Sequence, residues 1–81
     1  MSITIYTSPG FPACDELRKY LRDHKYPFND IDVSSDNLAW EVMVHKSKQM
    51  GVPVIEIGNQ IIAGFDRSRI SKLLLSQDQD K

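Results

Sequence analysis

The sequence holds a single cysteine, Cys14, in 81 residues, so no disulfide can form within the chain and a small secreted fold held by bridges is excluded. No apolar stretch approaches the roughly 18–20 residues needed to cross a bilayer. The opening Met-Ser-Ile-Thr-Ile-Tyr-Thr lacks the basic segment and apolar run of a secretory leader. Neither sign of charge is in excess. Ten Lys and Arg against eleven Asp and Glu leave a formal net charge of −1, which argues against nucleic acid or an anionic membrane as main partner. Repeats, linkers, a Gly-rich phosphate loop and cysteine pairs at metal-site spacing are all missing. His24 and His45 have no partner at ligand spacing, and nothing assigns Trp40 a ligand role. What is there is ordinary globular usage, 41% apolar and 26% charged. A chain this size should bury roughly 60–65% of its extended surface, enough for one core. The expectation is a soluble, cytoplasmic, monomeric protein with one domain over residues 1–81.

Period and punctuation divide the chain. Ser2–Tyr6 is β-branched and aromatic and reads as a strand, broken by Ser8-Pro9-Gly10. From Pro12 to His24, Ala13, Leu17, Tyr20 and Leu21 fall on one helical face, with Pro12 suited to the first helical position. Tyr26-Pro27 ends that element and Phe28–Val33 is a shorter strand. Ser34-Ser35-Asp36-Asn37 offers several N-caps to a helix that places Leu38, Ala39, Val42 and Met43 on one stripe and reaches Lys48. Val54–Ile57 and Gln60–Ala63 flank Gly58-Asn59, a pair that closes hairpins. Asp66 can cap a last helix with Ile70, Leu73 and Leu74 inward, and Phe65 with Ile70 has the spacing of a hydrophobic staple. The polar tail from Gln77 to Lys81 reads as frayed. The order is β-α-β-α-β-β-α, an α/β fold with three helices covering both faces of a four-stranded sheet.

Three short segments can carry chemistry. In Phe11-Pro12-Ala13-Cys14 the thiol lies in a helix's first turn, where free N–H groups and the helix dipole favour an anion. The competing reading is a small buried residue packing helix on sheet, as most free cysteines are. In Gly51-Val52-Pro53-Val54 the proline stands at the first residue of a strand. A cis bond there would leave the preceding backbone free to pair with an extended ligand, whereas base rates favour trans. In Ala63-Gly64-Phe65-Asp66, Gly64 permits close backbone approach, and Asp66 either caps the helix or meets a cationic group.

Together these segments, in this order, resemble the glutaredoxin family, especially the small bacterial glutaredoxin-like redoxins that reduce ribonucleotide reductase. The resemblance runs from Ile3 to about Leu75 and is anchored at Ile5 to Cys14, Gly51 to Val54 and Ala63 to Asp66. It implies a thioredoxin-like fold with a four-stranded mixed sheet, three flanking helices and a cis peptide at Val52–Pro53. It also implies a ligand-facing set of Pro12, Val52, Pro53, Gly64 and Asp66. In that set the Val52 backbone pairs with the cysteine of glutathione and Asp66 meets its amino group. The centre departs from the family pattern Cys-x-x-Cys or Cys-x-x-Ser: Phe11 occupies the attacking position and Cys14 matches the resolving one. Dithiol turnover within a monomer is thereby excluded. Ser8 and Met50 are neutral where many relatives carry groups that bind the glutathione carboxylates. No metal, iron–sulfur cluster or cofactor is expected, and glutathione enters as a substrate only.

Two functions follow. The first is a glutaredoxin-like thiol–disulfide oxidoreductase working through Cys14 on protein or glutathione thiols and disulfides, by an intermolecular disulfide. The second is a redox-inactive thioredoxin-fold module that binds an extended peptide or thiol compound beside Pro53. The family resemblance favours the first as the biochemical class, and Phe11 favours the second. If Cys14 is mostly buried, desolvation outweighs the dipole and the thiol reacts slowly.

Overall fold

Alternation of side chains along the strands decides which apolar residues meet. The computed structural model describes residues 2–79. Its elements are β1 (Ile3–Thr7), α1 (Pro12–Asp23), β2 (Asn29–Asp32), α2 (Asn37–Ser47), β3 (Val54–Ile57), β4 (Gln60–Ala63) and α3 (Arg67–Gln79). The strands form one sheet in the order β2-β1-β3-β4. β1 and β2 run parallel, while β3 is antiparallel to β1 and to β4, so the sheet is mixed. The expected order and fold class are those observed.

On one face Ile3, Ile5, Ile55, Ile57 and Ile62 pack with Leu17, Tyr20 and Leu21 of α1 and Ile70 and Leu74 of α3. On the other, Tyr6, Val33 and Val54 pack with Met43 of α2. Neighbouring residues of β1 therefore serve opposite layers, Ile5 under α1 and α3 and Tyr6 under α2.

Several local expectations shift. β1 runs one residue past Tyr6, because the Thr7 carbonyl still accepts from Val33 N–H at 2.9 Å. β2 shrinks to Asn29–Asp32 at the sheet edge. α1 ends at Asp23 with His24 as its C-cap, and α2 ends at Ser47 because Lys48 turns left-handed at φ 60°.

The stripe expected on α2 is rotated. Leu38 is 73% exposed and Val42 42%, while Ala39, Trp40 and Val44 join Met43 against the sheet. Both stripes have helical spacing, and the one containing Trp40 removes more apolar area from water. The segment expected to fray from Gln77 is helical through Gln79, and Asp80 and Lys81 lie outside the described residues.

Caps follow the chemistry of the preceding residue. Asp36 Oδ1 accepts from the N–H groups of Leu38 and Ala39, each at 3.1 Å. Asp66 Oδ1 accepts from Arg69 N–H at 3.2 Å, and Phe65 packs on the cluster that holds Ile70, the predicted staple. Gly58 has φ 60° at the first central position of the β3–β4 turn, where a type II′ turn needs glycine.

Candidate functional site

Strand register gathers the three sequence segments at one end of the sheet. Tyr6 lies opposite Val54, and Val54 opposite Ala63. One step further along each strand come Thr7 with the loop to α1, Pro53, and Gly64 leading to Asp66. Gly64 N–H donates to the Pro53 carbonyl at 2.7 Å, which fixes the start of β3 beside the end of β4. Gly64 has φ 84°, a conformation that L side chains rarely adopt. The Val52–Pro53 bond is cis, as the resemblance implied. Pro53 is fully buried, Val52 half-buried, and Asp66 exposed. Met50, just before this segment, is 71% exposed, so an apolar thioether stands at the rim.

The two ends of the Phe11–Cys14 segment have opposite environments. Phe11 is the N-cap residue of α1, with φ −112° and ψ 110°, makes no side-chain cap and is 49% exposed. Pro12 is exposed at the first helical position. Cys14 is 0% exposed, free, and donates its N–H to the Phe11 carbonyl at 3.0 Å. The outer position thus carries a ring, and the sulfur sits beneath the helix. A thiol buried in this way is chemically quiet unless the turn that covers it opens.

Beside the motif lies a polar cluster that reading the sequence did not find. Thr7, at 1% exposed the one buried polar residue among those described, donates its hydroxyl to Asp30 Oδ1 at 2.7 Å. Arg18 donates from Nε to Asp30 Oδ2 at 2.6 Å, from Nη1 to Asp15 Oδ1 at 2.7 Å and from Nη2 to Thr7 Oγ1 at 2.8 Å. The hydrogen bond to Asp30 is the chief cause holding the guanidinium above its ordinary pKa, although partial burial works against it. The cluster lines an open depression of about 360 Å³ together with Pro9, Gly10 and Asp32. A signal existed in the sequence: Asn29-Asp30-Ile31-Asp32 places two aspartates in a strand, where aspartate is depleted unless it has a task.

Comparison with known proteins agrees with this architecture. The glutaredoxin family model matches residues 3–62. A glutaredoxin-like 8.6 kDa protein in the rubredoxin operon of Clostridium pasteurianum is 42% identical over 72 residues, 89% of this chain and 96% of that one. The N-acetyl-S-hydroxy-L-cysteine reductase of Bacillus subtilis (strain 168) is 33% identical over 58 residues, covering 72% of this chain and 62% of that enzyme. Among solved structures, the glutaredoxin-like protein NrdH-redoxin from Escherichia coli superposes with a TM-score of 0.81 at 26% identity, over 90% of this chain and 95% of that one. With its mixed sheet, its cis proline just before β3 and these relatives, the chain belongs to the glutaredoxin family.

Proposed function

We propose that this protein is a single-domain, single-thiol redox protein that acts in the cytoplasm and exchanges disulfides through Cys14. The Cys14 thiolate attacks one sulfur of a partner disulfide, forming a mixed disulfide and releasing the other sulfur as a thiolate. An external thiolate, from glutathione or a protein, then attacks the partner's sulfur, becomes disulfide-bonded to it, and releases Cys14 as a thiolate. No second cysteine is available to complete the step within the chain. The observation that carries this reading is the placement of the chain's one thiol in the first turn of α1, at the sheet end that also presents Pro53 and Gly64. Val52, Pro53, Gly64 and Asp66 are the residues that receive the partner, in an extended conformation beside β3.

The burial of Cys14 beneath an exposed Phe11 favours a second reading, a module that binds a peptide or thiol compound without turnover. Mass spectrometry separates the two. Native protein incubated with glutathione disulfide should gain one glutathione on Cys14, slowly, and lose it again on adding excess dithiol. A protein that gains no adduct unless denatured, yet still binds a cysteine-containing peptide, would be the non-catalytic module.

A further inference from the structure

The first turn of α1 is more weakly tied than the starts of α2 and α3. Phe11 offers no side-chain acceptor, and Pro12 has no N–H to donate. The contact from Asp15 N–H to the Phe11 carbonyl is long at 3.4 Å. At the equivalent positions of α2 and α3, Asp36 and Asp66 accept backbone N–H groups. Yet this loosely capped turn keeps Cys14 at 0% exposure.

Arg18, one helical turn beyond Cys14, supplies the missing anchorage. Its planar fork reaches three elements at once: Asp15 next to Cys14, Asp30 on β2, and the buried Thr7 at the end of β1. Thr7 and Asp30 are themselves joined at 2.7 Å, so the fork closes on a pre-formed pair. We infer that Arg18 is a clasp that sets how often Cys14 becomes accessible. The first turn cannot lift alone without parting Asp15 from Arg18, and it cannot lift with the second turn without parting Arg18 from Asp30 and Thr7 as well. Arg18 belongs to neither apolar cluster, so its loss frees the turn while leaving the core intact. The inference concerns access to the thiol and stands whatever Cys14 reacts with.

Alkylation of the native protein by iodoacetamide reads this opening, because the sulfur can displace iodide only when it is reached. Arg18→Met keeps the apolar stem and removes the fork. It should label about tenfold faster than wild type or more, in line with the loss of several charge-assisted bonds. Lys19→Met, which breaks the exposed Lys19–Asp23 pair on the same helix, should label at the wild-type rate. Thr7→Val is nearly isosteric and suits a buried site, so it serves should Arg18→Met not fold, and it too should label faster. Hydrogen exchange of the Cys14 amide checks the same opening without thiol chemistry and should accelerate in parallel. Urea midpoints of each variant give its global unfolding constant. A wild-type labelling rate in both variants, or an acceleration no larger than the rise in global unfolding, would overturn the inference.

Discussion

Phe11 and Cys14 stand three residues apart at the start of α1, one 49% exposed and the other 0%. Disulfide exchange needs an approachable sulfur in line with the partner's, and the approachable position carries a phenyl ring. The defect is therefore specific, and so is its repair. Phe11→Cys should restore a pair with the Cys14 sulfur and raise glutathione-dependent reduction of a mixed-disulfide substrate by orders of magnitude over a slow wild type. Steady-state rates of the two proteins check this. Equal rates would show that Phe11 is not what limits turnover. That Phe11 leaves the helix uncapped was legible in the sequence, since a phenyl ring has no acceptor. That the sulfur is fully covered was not, because either reading of a lone cysteine fits one helical turn.

β2 and the turn after it show how a short edge element is held by polar chemistry. Asp30 is taken up by Thr7 and Arg18, while Asp32 Oδ1 accepts from the Ser34 hydroxyl at 2.6 Å and the Ser34 N–H at 2.9 Å. The Ser34 hydroxyl bond is the largest cause holding the Asp32 carboxyl below its ordinary pKa, followed by the Ser34 backbone bond. Because the folded state lowers the value, the stabilisation is complete above the ordinary carboxylate value of about 4. It is lost as pH falls through that value toward the depressed one. Asp32→Asn should therefore lose less stability than wild type between neutral pH and about pH 3, a range that brackets the ordinary carboxylate value. Urea midpoints at both ends of that range supply the comparison. An equal loss in the two proteins would assign the acid sensitivity to other carboxylates.

At the scale of the whole molecule, one sheet separates two unequal apolar layers, the larger under α1 and α3 and the smaller under α2. Leu21 is 0% exposed in the larger layer, whereas Leu38 is 73% exposed on α2. Truncating a buried leucine costs about 2–5 kcal/mol, a large part of the roughly 4–12 kcal/mol expected for a chain of this length. Leu21→Ala should thus lower the urea midpoint severely, and Leu38→Ala should change the unfolding free energy by no more than about 0.5 kcal/mol. Comparable losses from the two substitutions would place α2 differently on the sheet. The uneven layers also explain the rotated α2 stripe. Two faces of that helix have apolar spacing, and the sheet selects the one with Trp40.

The sequence by itself determined the element order, the hairpin at Gly58-Asn59 and the caps at Asp36 and Asp66, because periodicity, turn chemistry and capping act over a few neighbouring residues. Its motif resemblance also located Pro53 and its cis bond. Tertiary structure alone decided which face of α2 is buried, that Cys14 is sealed, and that Arg18 closes on Thr7 and Asp30. Arg18 lies 12 residues from Asp30 and 11 from Thr7, too far for any local rule to pair them. They meet because parallel pairing lays β2 beside the end of β1, which puts Asp30 next to the Thr7 hydroxyl just as α1 returns above them.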